Sequence, residues 1–495
     1  MTISLIACVI KFDNQLIIGK SGDLVVNLKE DIKYFKNTTS FVGNAPNLPN
    51  IVIMGRNTYY SIPSHHRPLP NRINFVLTND KDYLQKYPLP KHKNQLQCNV
   101  YFITFNQFVQ FYTKYSPNVY VIGGKQIYNL FLNNINPSLV PTKLFITQVA
   151  GVKLKDSTGL INMNHFSYKY HLNGYSTKYT QDSLTYRILF YNFNKNHISA
   201  EFEYFKLFKN VLNNGIDRID RTGTGTKSLF GAQMRFDIST HIPLLTTKQV
   251  SFKAIVEELL FFCRGDSDTK ILDNKGIHIW NGNTTRQFLD NRNLHHYEPG
   301  IMGNMYGWSW RHFGAKYSQA FADTSKCDTT KIGGFDQLEN VLHLLKTDPF
   351  SRRIYISNLN PSETHNMCLD MCHTYIQFYV TENNNQKFLS AYFTMRSSDS
   401  LAFCYNIVSY TLLVYILALK CDMKPKEIVY NSVDCHIYKN HIDQIQTQMT
   451  RIPRPLPSVQ LSKTLKIKDW SHMTFQDFDL VGYFPHPSIK MEMAV

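Results

Sequence analysis

The stretch from Ser351 to Tyr379 constrains this chain most, because it sets reactive side chains at the ends of two strand-like runs. Two adjacent arginines open the first run, and the pair Cys372–His373 stands directly before the second, Tyr375 to Val380. A cysteine there is placed to act as a nucleophile, since the thiolate is the reactive form and nearby cations keep it ionised. The alternative is that Cys372 simply packs in a core, as free cysteine usually does.

The length of 495 residues is too great for one ordinary domain, so we expect two or three. A hydrophobic content of 43% and an aromatic content of 14% exclude a disordered protein. The nine cysteines are odd in number and lack paired spacing, which argues against a disulfide framework and against a zinc site. A reducing compartment fits this cysteine usage best, and no metal is predicted.

Two apolar stretches bear on the membrane question. The first ten residues lack a basic segment and a clear cleavage site, so they predict a first strand and not a signal peptide. The longest apolar run, Ile407 to Leu419, is too short to span a bilayer and contains Ser, Thr and Tyr, so it predicts a buried helix. We therefore expect a soluble, cytoplasmic protein.

The chain is basic, with 53 Lys and Arg against 37 Asp and Glu and a formal net charge of +16. This excess favours anionic partners such as nucleotides or RNA. The alternative is that the lysines only cover solvated faces. No run of like charges marks a nucleic-acid-binding tail.

Further blocks surround the cysteine in the second part of the chain. They are D-R-T-G-T-G-T at Asp220–Thr226, E-E-L-L-F-F at Glu257–Phe262, R-S-S-D at Arg396–Asp399 and D-C-H-I-Y-K-N-H at Asp434–His441. In this order, and with the terminal H-P-S-I-K-M-E-M-A-V, they resemble thymidylate synthase over roughly the last three-fifths of the chain. The resemblance implies an α+β domain that methylates dUMP to dTMP with 5,10-methylenetetrahydrofolate and releases dihydrofolate.

The same resemblance implies a role for each matching residue. Cys372 is the nucleophile that forms a covalent intermediate, Glu258 organises proton transfers through water, and Tyr306 and His373 assist removal of the uracil C5 proton. The implied dUMP contacts are Arg221, Arg352, Arg353, Cys372, Arg396, Ser397, Asp399, Asn406, His436 and Tyr438, of which the adjacent arginine pair would reach the phosphate of the other subunit in a homodimer. Asn406 would read uracil N3 and O4 and so reject cytosine. The implied methylenetetrahydrofolate contacts are Lys248, Trp280 and Asp399.

The first part of the chain carries a different pattern. Ile3 to Ile10 predicts a buried strand, Ile51 to Met54 a strand that ends in a Gly-Arg turn, and Val119 to Ile122 a strand that ends in Gly123–Gly124. A Gly-Gly pair allows close approach of the backbone to a ligand, although a simple tight turn explains it equally well. Asp31 lies among apolar positions of a predicted helix, so it either points inward or is a solvated acid of the first helical turn.

The blocks S-L-I-A, N-L-K-E-D-I-K-Y-F, I-M-G-R-N-T, R-P-L-P-N-R and V-I-G-G resemble, in this order, dihydrofolate reductase over residues 1 to about 193. The resemblance implies an α/β domain with a twisted, mostly parallel eight-stranded sheet and flanking helices, which reduces dihydrofolate to tetrahydrofolate with NADPH. It makes Asp31 the acid that binds the pterin and supports protonation at N5. The implied dihydrofolate contacts are Ile6, Cys8, Asp31, Phe35, Ile62, Leu69, Arg72, Ile122 and Thr147. The implied NADPH contacts are Cys8, Ile18, Gly19, Gly55, Arg56, Asn57, Thr58, Thr78, Asn79, Ile122, Gly123, Gly124, Lys125 and Tyr128.

A short polar segment, Asn194 to Ala200, separates the two resemblances. We expect a reductase domain over 1–193, a linker over 194–200 and a synthase domain over 201–495. Because the second domain releases the dihydrofolate that the first reduces, the resemblance implies a bifunctional enzyme of dTMP synthesis, homodimeric through the synthase domain and a target for antifolates. The alternative is a catalytically impaired fusion that acts mainly as an RNA-binding regulator.

Several positions depart from the family patterns and motivate that alternative. Leu24-Val25-Val26 stands where reductases have Leu-Pro-Trp, and Met371 stands where synthases have a proline before the nucleophile. Ile301 to Met305 lacks the acid and the proline of the synthases, and Ser400 to Tyr405 is one residue shorter than their loop. These changes fall mainly on the folate side, whereas the nucleotide site is complete.

Overall fold

A computed structural model of the protein describes residues 2–12, 15–21, 23–40, 49–90, 95–97, 99–154, 160–163, 165–195, 197–220 and 222–492. The chain divides into two compact units. Unit 1 comprises Met1–Ser199 and Pro453–Pro455, and unit 2 comprises Ala200–Ile452 and Leu456–Val495.

Unit 1 is built on an eleven-stranded sheet. Its strands are β1 (Ile3–Phe12), β2 (Gln15–Lys20), β3 (Ile51–Gly55), β4 (Ile73–Leu77), β5 (Val100–Ile103), β6 (Val119–Gly123), β7 (Lys143–Ala150), β8 (Leu160–Met163), β9 (Tyr170–Tyr175), β10 (Tyr179–Gln181) and β11 (Leu184–Phe193). Eight strands follow the order β10-β11-β7-β1-β6-β3-β4-β5, and the pairs from β7 to β5 are parallel. The predicted fold class is confirmed, and β2, β8 and β9 extend the eight-stranded path.

The central strands of unit 1 are mostly apolar because helices cover the sheet. Ile51, Val52 and Ile53 of β3 are fully buried, as is most of β4. The helices are α1 (Lys29–Thr39), α2 (Arg56–Ser61), α3 (Lys81–Lys86), α4 (Phe105–Tyr115) and α5 (Lys125–Leu132). Strands β3 and β6 are parallel neighbours, and each runs directly into a helix, α2 or α5. Two helix N-termini therefore meet at one edge of the sheet, where backbone N–H groups favour phosphate.

Unit 2 contains a six-stranded sheet in the order β12-β13-β17-β16-β15-β14 and a two-stranded sheet of β18 and β19. The strands are β12 (Ile216–Arg218), β13 (Thr226–Asp237), β14 (Tyr355–Ser357), β15 (His373–Asn383), β16 (Gln386–Asp399), β17 (Lys424–Tyr438), β18 (Ser458–Leu461) and β19 (Phe478–Val481). The second strand-like run of the sequence is thus β15, which begins one residue after Cys372. The candidate nucleophile Cys372 therefore lies directly before the first residue of β15, as predicted.

The helices of unit 2 are α6 (Glu201–Asn214), α7 (Phe252–Arg264), α8 (Lys270–Asp273), α9 (Arg286–Asn291), α10 (Tyr306–Arg311), α11 (Gln337–Thr347), α12 (Phe403–Lys420) and α13 (Ile442–Met449). Within the described residues, α12 is the one helix long and apolar enough to cross a membrane by length and composition, and 78% of it is buried inside the protein. Its side chains pack in the core of unit 2. The prediction of a buried helix over Ile407 to Leu419 is confirmed.

Candidate active sites

A cavity of about 1070 Å³ in unit 2 collects side chains from several distant parts of the sequence. Cys372 lies in its wall, where its N–H donates to the Tyr306 hydroxyl at 2.8 Å. Its carbonyl accepts the Arg396 N–H at 2.9 Å and so joins the nucleophile segment to β16. The backbone of Cys372 is therefore held from two sides while its sulfur stays at the cavity.

Arg396 supplies positive charge beside the cysteine. Its guanidinium donates to the carbonyls of Met371 at 2.9 Å and Asp370 at 2.7 Å. These bonds hold the cation against the residues that precede the nucleophile, which is the environment that favours a thiolate.

Glu258 of α7 is the buried acid of the cavity. It accepts a hydrogen bond from the Trp280 indole N–H at 2.8 Å. Burial raises the pKa of this carboxyl from 4.5 to about 7, and the bond from Trp280 opposes part of that rise. A carboxyl with a pKa near neutrality gains and loses a proton readily, so it is suited to general acid–base catalysis.

His373 is held between two residues of α12. Its Nδ1 lies 2.9 Å from the Tyr410 hydroxyl, and its Nε2 lies 3.0 Å from Asn406 Oδ1. Burial lowers the pKa of His373 to about 4, so the ring is neutral at pH 7. Burial also raises the pKa of Tyr306 well above its ordinary value, so that hydroxyl keeps its proton.

The opposite end of the cavity is polar and includes β17. His436 Nδ1 lies 3.1 Å from Asp434 Oδ1, which also accepts a hydrogen bond from Ser228 Oγ at 2.8 Å. Asp434 pairs with Arg218 at 2.8 Å. These contacts fix the ring of His436, next to Tyr438.

Most of the residues predicted for unit 2 come together in this cavity: Glu258, Trp280, Tyr306, Cys372, His373, Arg396, Ser397, Asp399, Asn406, His436 and Tyr438. Among the described residues, three predicted contacts do not line it. Arg352 and Arg353 are exposed on the approach to β14, and Lys248 is buried with its Nζ 3.8 Å from Met491 Sδ. Arg221 lies outside the described residues.

Two features of the cavity were not predicted from the sequence. Arg292 lines the wall and pairs with Asp370 at 2.8 Å, so a charged pair stands two residues before the nucleophile. Tyr410 contacts His373 from behind. The sequence offers one signal for Tyr410: it lies four residues after Asn406 in an apolar helix, so both side chains lie on one helix face.

The predicted substrate end of unit 1 centres on Asp31. Thr147 Oγ1 donates to Asp31 Oδ1 at 2.5 Å, and burial raises the pKa of that carboxyl. Cys8 lies opposite Thr147 in the β1–β7 register, and the Tyr128 hydroxyl donates to the Ile6 carbonyl at 2.8 Å. Asp31 therefore points toward the sheet, as the first of its two alternatives predicts.

Arg72 contacts α1, the helix that carries Asp31. It is 2% exposed, donates to Thr39 Oγ1 at 2.5 Å and to the Pro70 carbonyl at 2.9 Å, and lies over the Phe35 ring. Three further predicted contacts, Ile62, Leu69 and Ile122, pack beside one apolar cluster of the unit.

Many of the predicted cofactor contacts lie where β3 and β6 end and α2 and α5 begin. A Cβ on Gly124 would lie 2.9 Å from Thr58 Oγ1, so these two loops approach as closely as glycine permits. The Gly123–Gly124 peptide bond is cis. Arg56 pairs with Asp80 at 2.6 Å beyond Thr78 and Asn79. Asn57 and Lys125 are exposed, and Ile18 and Gly19 lie on β2. Two helix N-termini, a glycine pair and a surface guanidinium fit a dinucleotide phosphate.

Comparisons with known proteins divide the chain at nearly the same place as the two compact units. The family model for thymidylate synthase matches residues 202–495, and the model for dihydrofolate reductase matches residues 3–195. The chain is 37% identical over 487 residues to the bifunctional dihydrofolate reductase-thymidylate synthase of Paramecium tetraurelia, with 97% of this chain and 96% of that protein covered. The maize (Zea mays) protein of the same description is 35% identical, with 97% and 94% covered.

The chain belongs to the bifunctional dihydrofolate reductase–thymidylate synthase family. Membership confirms both predicted activities, an oxidoreductase and a methyltransferase in one chain. It also confirms NADPH and 5,10-methylenetetrahydrofolate as cofactor and co-substrate. The alternative of an impaired, RNA-binding fusion is not supported.

Proposed function

We propose that Cys372 initiates thymidylate synthesis by adding to C6 of dUMP. The observation that carries this proposal is the position of the cysteine in one cavity with the Arg396 guanidinium and the Glu258 carboxyl. Addition of the thiolate turns the uracil ring into an enolate, whose C5 then attacks the one-carbon unit of methylenetetrahydrofolate.

The neighbouring groups complete the reaction. Charge that develops on O4 is stabilised by polar groups around Asn406. Glu258, poised near neutrality, moves protons through water, while Tyr306 and His373 assist removal of the C5 proton. Folate then leaves and returns a hydride to the methylene carbon, which yields the methyl group of dTMP and dihydrofolate, and the cysteine is released.

The remaining contacts orient the two substrates. We assign the phosphate to Arg396, Ser397 and Arg221, completed by Arg352 of the partner subunit and Arg353 of the partner subunit. The ribose 3′-hydroxyl binds between His436 and Tyr438. Folate packs on Trp280 and bonds to Asp399, with Lys248 near its tail.

In unit 1 we assign Asp31 as the acid that holds the pterin and supports protonation at N5, with Thr147 in the same network. When bound, NADPH supplies the hydride. Arg72 would pair with the folate α-carboxylate, a bidentate task for which a guanidinium is suited. Burial lowers the pKa of Arg72, and a carboxylate beside the guanidinium would compensate for that loss of solvation.

Both proposals are tested by one pair of assays on purified protein. Release of tritium from C5-labelled deoxyuridylate reports the synthase, and loss of NADPH absorbance with added dihydrofolate reports the reductase. We expect both signals, and competitive inhibition of each by folate analogues. Tritium release that persists without Cys372 would contradict the assignment of the nucleophile.

We also propose a homodimer formed through the outer face of the six-stranded sheet. Large apolar side chains are exposed on that sheet, among them Phe230 (92%), Tyr379 (64%), Val433 (41%) and Tyr392 (37%). Exposed apolar side chains grouped on one sheet are typical of an interface. Sedimentation should give twice the chain mass of 57.6 kDa, and Phe230→Glu should lower it.

The boundaries 1–193, 194–200 and 201–495 and a cytoplasmic location complete the proposal. The family matches begin and end within a few residues of these boundaries. Limited proteolysis should cut first between the two domains. Fractionation of the source cells should place the protein with cytosolic markers, and recovery with membranes or organelles would contradict that location.

A further inference from the structure

A fully buried carboxyl group, that of Glu201, lies at the first residue of α6. Its Oε1 accepts hydrogen bonds from the Thr246 N–H, at 2.7 Å, and from the Thr246 hydroxyl. Its Oε2 accepts from the Thr247 N–H at 3.1 Å and from the Thr247 hydroxyl at 2.8 Å. Four donors on one carboxyl group therefore fix the positions of two consecutive residues.

The carbonyl groups of the same two threonines hold a second stretch of chain, the segment 486–491. The carbonyl of the first threonine accepts from the His486 N–H at 2.7 Å. The carbonyl of the second accepts from Arg451 Nη1 at 2.8 Å, and this nitrogen also donates to the Pro487 carbonyl at 2.6 Å. Two hydrogen-bonded paths thus connect Glu201 to neighbouring residues of the segment, one direct and one through Arg451.

Both stretches of chain continue from these contacts into the wall of the unit 2 cavity. The residues that line it there are Gln249, Ser251, Ser488, Ile489 and Met491. The two stretches also meet each other, because Lys248 Nζ lies 3.8 Å from Met491 Sδ. Since Lys248 is the residue assigned to the folate tail, this wall belongs to the proposed folate side of the site. Glu201 itself does not line the cavity.

We propose that Glu201 is a positioning residue that sets the shape of the folate side of the synthase site. It holds the two threonines and, through them, the segment 486–491 against which folate binds. Loss of this acceptor should weaken folate binding and leave the nucleotide end, around His436 and Tyr438, intact. The inference rests on the proposed placement of folate in this cavity.

The first test is Glu201→Gln, which keeps the shape of the side chain. An amide nitrogen donates and does not accept, so one of the two threonine N–H groups loses its acceptor whichever way the amide turns. The KM for methylenetetrahydrofolate should rise about 10-fold, because a buried N–H without an acceptor destabilises this arrangement. The Kd of dUMP, measured by equilibrium dialysis, and the rate of NADPH oxidation should stay at wild-type values.

The matched control is Glu203→Gln. This acid also lies in the first turn of α6, so both variants lose the same favourable charge at the helix N-terminus. Glu203→Gln should keep the wild-type KM for methylenetetrahydrofolate.

Arg451→Met tests the second path without altering the buried carboxyl group, and it decides alone if Glu201→Gln does not fold. The variant keeps the aliphatic stem and loses the bonds to the Thr247 and Pro487 carbonyls, so the folate KM should rise about 5-fold. Trypsin gives a local readout, because Lys490 is exposed and cleavage after it should become faster in both variants. Wild-type folate KM in the variants that fold, or a rise in KM matched by an equal rise in the Kd of dUMP, would overturn the inference.

Trp280→Ala separates this inference from the proposed function. If Trp280→Ala leaves the folate KM unchanged, the proposed placement of folate fails, and the inference fails with it. If Trp280→Ala raises that KM while Glu201→Gln and Arg451→Met retain the wild-type value, only the positioning role of Glu201 is wrong.

Discussion

The two active sites each keep one carboxyl group away from water, and they surround it differently. In unit 1, Asp31 receives one hydrogen bond from Thr147 at the edge of a parallel sheet. In unit 2, Glu258 receives one from Trp280 but shares its cavity with a cysteine, a neutral histidine and a guanidinium. Burial raises the pKa of both carboxyls.

The difference follows from where the reacting electrons come from. The reductase receives its hydride with NADPH, so the protein has to supply orientation and one protonating group. In the proposed mechanism the synthase forms and breaks a bond to the protein itself, so it needs a nucleophile, a cation that favours the thiolate, and separate proton carriers. A site whose cofactor supplies the hydride is therefore built around one ionisable residue. A site that bonds covalently to its substrate is built around several side chains that act together.

The largest effect is expected from Cys372→Ser. A serine hydroxyl is not ionised at neutral pH, so dTMP formation should fall by at least about 10³-fold while NADPH oxidation stays at the wild-type rate. Cys368→Ser is the matched control, because that sulfur is fully buried against Met305 and lies outside the cavity lining. Equal losses in the two variants would mean that general damage, and not the nucleophile, explains the result.

The complementary change is Asp31→Asn, which keeps the shape of the side chain but removes its acid. Dihydrofolate reduction should fall by about 10²-fold or more, and tritium release by the synthase should not change. Because burial raises the pKa of Asp31, the wild-type reductase rate should decline as pH rises and the carboxyl ionises. The variant should lose that dependence, and Glu30→Gln, one residue away, should keep it.

Glu258→Gln should reveal how much folding stability the protein loses when the buried Glu258 carboxyl ionises. Because the folded-state pKa of about 7 exceeds the ordinary 4.5, the wild-type protein loses stability relative to the variant as pH rises from 4.5 to 7. The full difference is roughly 3 kcal/mol and is constant at higher pH. All four tryptophans lie in unit 2, so urea unfolding followed by their fluorescence at pH 5 and pH 8 reports this unit alone. The same difference at both pH values would refute the shift.

The smallest effect is expected at the cofactor end of unit 1. The resemblance to dihydrofolate reductase places Arg56 near the adenosine 2′-phosphate of NADPH. Arg56→Ala should therefore raise the NADPH concentration needed for half-maximal reduction by about 10-fold, because a charge-assisted contact to that phosphate is lost. NADH lacks the 2′-phosphate and serves as the internal control, so its value should stay the same. An equal loss with both nucleotides would place Arg56 away from that phosphate.

Local patterns in the sequence predicted much of the framework. The apolar run at Ile51 to Met54 is a buried strand, and the long run at Ile407 to Leu419 is a core helix. Asp31 points toward the sheet as its apolar neighbours suggest, although Ile32 beside it is 45% exposed. These features depend on neighbours along the chain, which the sequence displays.

Contacts between distant segments were not predictable in the same way. The Arg292–Asp370 pair joins residues far apart in the chain, and neither position carries a periodic or motif signal. The contact of Tyr410 with His373 depends on how α12 packs against β15. The spacing of four from Asn406 puts both side chains on one helix face, but it does not show which distant residue that face will meet. The three strands beyond the eight-stranded path were also not predicted from the sequence.

The most direct test of the covalent mechanism uses 5-fluorodeoxyuridylate together with methylenetetrahydrofolate. Fluorine takes the place of the C5 proton and cannot be lost to a base, so the reaction should stop after C6 has bonded to the protein and C5 to the one-carbon unit of the folate. Intact-mass spectrometry should then show one nucleotide and one folate added per chain, and peptide mapping should place the nucleotide, with the folate attached at its C5, on Cys372. An adduct on another residue, or turnover without any adduct, would contradict the mechanism.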